Sequence, residues 1–102
     1  VYVNLEPPLN GIGRGVPLTR ESGYFWFFDP DNIELTVKIL DGRAVNGKYW
    51  VFIASMTDVA YMVEVEHCAS RFDPFGCGSV YYRNVQGMNQ NVVDVDFVGN
   101  LR

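Results

Sequence analysis

Asp29, Asp31 and Asn32 stand within four positions of one another, and closely spaced oxygen ligands in a turn are what a hard cation such as calcium requires. The same residues around Pro30 are also ordinary turn formers, because their side-chain oxygens bond nearby backbone amides. The spacing and distal glutamate of an EF-hand are absent, so a structural turn is the expectation and calcium a weak alternative. Gly11-Ile12-Gly13-Arg14-Gly15 has the glycine content of a phosphate-binding loop, but no Lys-Ser or Lys-Thr follows and no helix is signalled after it. A flexible surface loop is expected there. His67, the single histidine, could pair with Glu66 or Asp73, and Ser70 and Ser79 lie near it in sequence. A nucleophile oriented beside a base is not indicated, so His67 is expected to be solvated or bonded to backbone. Glu64/Glu66 and Asp94/Asp96 each place two acids on one strand face. A glycosidase needs its two carboxyls across a substrate cleft, so these pairs read as solvated faces that discourage edge pairing. No catalytic residue and no cofactor is expected.

Cys68 and Cys77 bracket eight residues between two strand-like runs. A disulfide there would clip the mouth of a hairpin loop and stabilise the fold by about 2.7 kcal/mol on the chain-entropy estimate. The spacing suits neither Cys-x-x-Cys redox chemistry nor a zinc site. The pair therefore favours an oxidising compartment, with two buried thiols as the alternative.

The elements that must carry these residues are strands. The chain has 102 residues, which suits one domain spanning 1–102, and its fifteen aromatics (two Trp, six Tyr, seven Phe) can fill a core between two sheets. A net charge of -4 with both signs scattered argues against nucleic acid as a partner, since phosphate neutralisation needs clustered Lys and Arg. No apolar run approaches the roughly 18 residues that span a bilayer. The chain starts at Val1 with no leader-like segment, so its start is expected to say nothing about export.

Residues 1–5 alternate as a first strand that Pro7-Pro8 ends, and 9–22 read as a glycine-rich loop. Residues 24–28 form an aromatic strand, 29–32 a turn, and 33–40 a half-buried strand with Ile33, Leu35, Val37 and Ile39 inward and Glu34, Thr36 and Lys38 outward. After a connection at 41–47, Lys48 to Ser55 is apolar on both faces and should be central. Asp58 to His67, Ser79 to Arg83 and Val92 to Val98 complete the set, the last with Val93, Val95 and Phe97 opposite Asp94 and Asp96. Seven evenly spaced strands predict an all-β, two-layer antiparallel sandwich of immunoglobulin-like type.

The block Glu21-Ser22-Gly23-Tyr24-Phe25-Trp26-Phe27-Phe28-Asp29-Pro30-Asp31-Asn32-Ile33-Glu34-Leu35, continuing through Val37 to Gly47 and Tyr49 to Phe52, resembles a recurring C-terminal domain of exported bacterial proteins, those of acidobacteria above all. Val16-Pro17-Leu18-Thr19, Thr57-Asp58-Val59 and Tyr82-Arg83-Asn84 match its flanking segments, and the similarity covers roughly residues 1–85. The Cys68 to Cys77 loop is longer than the short hairpin usual there, and the tail from Val85 departs from the pattern. The resemblance implies export and an accessory, non-catalytic place beside other domains, and it supplies no catalytic residue.

The aromatics are the strongest functional candidates. Alternate side chains of a strand point oppositely, so with Phe25, Phe27 and Tyr49 inside, Tyr24, Trp26 and Phe28 or Trp50 and Phe52 lie on the other face. Such a face is either a contact surface or is covered by loops 9–22 and 41–47. The expected function is a non-enzymatic extracellular module that packs onto other domains or subunits of an exported assembly. Carbohydrate binding by exposed aromatics is the alternative.

Overall fold

The structure is a computed structural model that describes residues 1–68 and 77–97, the side chains of Cys77 and Asp96 excepted. β-Branched and aromatic residues form β1 (Tyr2–Leu5), β4 (Ser22–Trp26), β5 (Leu35–Gly42), β6 (Lys48–Ser55), β7 (Tyr61–Cys68), β8 (Cys77–Asn84) and β9 (Val92–Phe97). Two short strands, β2 (Gly11–Ile12) and β3 (Arg14–Pro17), and one helical turn, α1 (Arg43–Asn46), complete the described elements. One antiparallel sheet has the order β2-β1-β7-β8, the other β3-β4-β5-β6-β9. The two-layer antiparallel sandwich is thus the expected class, with nine strands among the described residues. Its β3–β6 meander gives it a strand order of its own within that immunoglobulin-like layering.

The layers close over Val3, Phe25, Phe27, Leu35, Val37, Val51, Ile53, Tyr61, Val63, Val65 and Phe97. β5 starts two residues later than expected, and within it the period-two reading holds: Leu35 and Val37 are buried, Ile39 half-buried and Lys38 exposed. β6 has the expected bounds and lies between β5 and β9.

The sequence expectation fails in four places, each for a physical reason. The supposed loop at 9–22 is a strand pair that changes sheet: β2 pairs with β1 in one layer and β3 with β4 in the other. Gly13 sits at the corner, where a Cβ would lie 2.9 Å from the Phe27 ring and 3.1 Å from Val3. Glycine hides the strand signal while permitting this approach of backbone to rings. Second, the aromatic strand ends at Trp26, because the Asp29-Pro30-Asp31-Asn32 turn already bends the chain at Phe27 and Phe28. Phe27 still drops into the core, while Phe28 is 60% exposed.

Third, Glu34 is not outward and wet but 5% exposed, since its N–H bonds Phe25 O and its carbonyl accepts from Met56 N–H. Fourth, Val93 and Val95 do not face the core. β9 opposes Ile53 with Val92 and Val51 with Asp94, but Tyr49 with Phe97, so an extra residue of β9 is bulged out between 94 and 97. The bulge reverses the parity: Val93 and Val95 lie outside and half-buried Asp94 turns inward. There it accepts a hydrogen bond from Tyr82 Oη at 2.5 Å, which ties β8 of one layer to β9 of the other. Burial and the adjacent carboxylate both push the Tyr82 phenol well above its ordinary range.

Candidate interaction surface

Register fixes which residues share the outer face of the five-stranded sheet. Across it run the rows Arg14–Trp26, Val16–Tyr24–Thr36–Ala54, Ser22–Lys38–Phe52–Val93 and Leu40–Trp50. Tyr24, Trp26, Trp50 and Phe52, singled out from the sequence, are therefore brought to one face, all half-buried, and the bulge adds exposed Val93 and Val95. Phe28 lies beyond the strand, in the bend.

Both tryptophans are engaged by neighbours. The guanidinium of Arg14 stands over the Trp26 ring at 5.7 Å, a cation–π contact. Trp50 lies over Gly42, where a Cβ would fall 2.2 Å from the indole. Its Nε1–H donates to Asn46 Oδ1 at 3.0 Å. Asn46 also accepts from Lys48 N–H and donates to Val95 O, so one side chain of α1 links β6, β9 and the indole. α1 ends on Gly47 in the left-handed conformation, φ 76°, whose N–H bonds Arg43 O. At its other end Asp41 binds Arg43 through two charge-assisted hydrogen bonds, and this pairing holds the Asp41 carboxyl down at about 2. Arg43 in turn lies over Tyr49 at 5.1 Å. Segment 41–47 thus packs on Trp50 and reaches the Val95 carbonyl, while Val93 remains 72% exposed.

Gly42 is a direct handle on this arrangement. Its φ of -92° and ψ of 11° are open to any L-residue, so a side chain is excluded by Trp50 alone. Gly42→Ala should lower stability by about 1–3 kcal/mol through overpacking, and should shift the tryptophan emission as the indole leaves Asn46. Denaturant melts with fluorescence readout check both; an unaltered spectrum and midpoint would contradict the packing described.

The other chemical candidates resolve locally. Asp29 Oδ1 accepts the Asp31 N–H at 2.8 Å, and Asn32 N–H bonds Asp29 O, so this cluster is built as a turn. Among the described residues no group of three His, Cys, Asp or Glu side chains is placed to hold a metal ion. His67 stacks on Tyr49 with ring centroids 4.5 Å apart. Ser70 and Asp73 lie outside the described residues. Cys68 faces Cys77 on the outermost rung of β7–β8. The sulfur-to-sulfur geometry lies outside the described residues.

Two features were missed from the sequence. Tyr2 and Tyr81, 57% and 56% exposed, flank Glu64 in one row on the outer face of the four-stranded sheet. Glu64 accepts from Ser79 Oγ at 3.2 Å and from Tyr81 Oη at 3.5 Å, while Arg83 pairs with Glu6 at 2.8 Å. Only cross-strand register could have assembled that row. The second is Asn84, 1% exposed, whose Nδ2 donates to Val59 O and Met88 O and whose Oδ1 accepts from Gln90 N–H. It joins the Thr57-Asp58-Val59 and Tyr82-Arg83-Asn84 segments, whose joint presence in the resemblance was the available signal.

No family model matches the chain, and neither does any curated protein or solved structure.

Proposed function

We propose that the domain is a non-enzymatic module of an exported assembly that docks onto another protein domain or subunit through the outer face of its five-stranded sheet. One observation carries the reading. Phe52 and Val93 stand side by side on β6 and β9, Val93 72% exposed, with Val95, Leu40 and Tyr24 on the same outer face and Thr36 and Lys38 between them. Exposed apolar side chains grouped on one sheet face around a few polar ones suit a protein partner. Arg14 over the Trp26 ring disfavours sugar stacking at that indole.

Export is proposed with it. Directly opposed residues of an antiparallel pair have Cα atoms about 4.5–5.5 Å apart, within the disulfide range of about 4.4–6.8 Å, so the Cys68–Cys77 rung can be cross-linked without moving the backbone. Intact mass with and without reductant reads this directly. Two thiols that alkylate in the native protein would remove the argument.

Hydroxyl-radical footprinting tests the docking face. Phe52, Tyr24 and Val93 should be labelled in the isolated domain and protected when it is returned to the exported fraction of the cells that make it. Unchanged labelling at all three would sink the proposal. A carbohydrate reading survives on the opposite sheet. There Tyr2 and Tyr81, about 10 Å apart across β7, border Glu64 and Ser79, which can bond hydroxyls. Saturable glycan binding lost in both Tyr2→Ala and Tyr81→Ala would favour it.

A further inference from the structure

We propose that what occupies the docking face is an acidic segment of a partner protein, flanked by apolar residues and lying in the groove over Lys38. The inference rests on the docking reading above and adds the chemistry of the partner. The groove measures about 460 Å3 and is bordered by Leu18, Ser22, Thr36, Lys38, Phe52 and Val93. Lys38 stands in its middle, on the row Ser22–Lys38–Phe52–Val93. Among the described residues no hydrogen bond or ion pair engages its ammonium group.

Among the described side chains the charge on this face is one-sided. The chain as a whole carries -4, yet the described outward positions of the five strands hold Arg14, Lys38 and Lys48 and no carboxylate. Of the described acids, Glu21 lies at the end of β4 beside Ile39 and forms no ion pair with Lys38. Asp94 points inward to Tyr82, Asp41 is held by Arg43, Glu34 is buried, and Glu64 lies on the other sheet.

Covering Phe52 and Val93 with an apolar partner strips water from Lys38 at the same time. An unpaired ammonium in such an interface is costly, whereas a carboxylate brought to it makes a charge-assisted bond. Complementarity thus selects an acidic partner and rejects neutral or basic ones. Three separated cations among aromatic and aliphatic side chains do not form the clustered basic patch that a polyphosphate backbone needs.

The two tryptophans report on the face, so fluorescence titration provides the test. The probes are a short peptide alternating valine with glutamate, the same peptide with glutamine, and vesicles rich in phosphatidylserine. The glutamate peptide should bind at least about tenfold more tightly than the glutamine one. That advantage should vanish in Lys38→Gln and shrink as salt is raised. Equal binding of the two peptides, an advantage that survives Lys38→Gln, or binding to vesicles alone would overturn the proposal. Binding of neither peptide would also overturn it, while the docking face itself stands or falls by the footprint.

Discussion

Asn84→Asp should lower stability by at least about 3 kcal/mol at neutral pH, the largest effect expected of any single isosteric change in the domain. The shape of the side chain is kept, but both donors are lost. Val59 O and Met88 O then face an oxygen where they had an N–H, in a site 1% exposed. The Gln90 N–H alone can answer the introduced charge. At about 4–8 °C per kcal/mol, the melting temperature should fall by at least about 12 °C. The pH dependence identifies the cause. Burial raises the pKa of the introduced carboxyl above its unfolded value, so the deficit is smallest in acid and grows as pH rises through the folded pKa. A deficit independent of pH would mean that Asn84 acts by packing alone. The residue bears on the proposed docking face as well, because the 85–91 connection that it fastens delivers Asn91 to Ser55 N–H and sets β9 with Val93 beside Phe52.

Gly13→Val should cost at least about 2 kcal/mol, read as a lower urea midpoint at unchanged slope. The added Cβ would meet the Phe27 ring at 2.9 Å and Val3 at 3.1 Å, and both are core residues without room to move. Its two methyl groups compound the clash. Gly13 is also where the chain passes from the β1 side of the sandwich to the β4 side, so relief requires one short strand to leave its sheet. A neutral substitution would show that the corner is not packed as described.

These two positions mark where the sequence stops being legible. Period-two patterning suffices for Leu35, Val37, Val51 and Ile53, because each element there carries its own alternation. The Asp29–Asn32 turn is equally local, since proline and Asx chemistry dictate it. The Gly11–Pro17 segment is different: its strand character comes from partners in β1 and β4, and its glycines answer to rings at Phe25 and Phe27. β9 shows the same dependence, for a one-residue bulge against β6 decides whether Val93 or Asp94 faces the core. The aromatic face was readable as an alternation of Trp26 with Phe27 and Trp50 with Val51. What covers it was not, because Arg14 and Asn46 come from segments that composition marks only as loops. The Tyr2–Glu64–Tyr81 row joins three strands and leaves no trace along any one of them.

The docking claim is tested most directly by a photo-crosslinking residue in place of Phe52, with a second variant carrying it in place of Tyr81, each expressed in the cells that make the domain. Mass spectrometry of the adducts should find a protein joined at position 52, with the crosslinked partner peptide rich in Asp or Glu, and none at position 81. Adducts at position 81 in place of 52, or sugar instead of peptide at either, would contradict the assignment of the five-stranded sheet as the docking face.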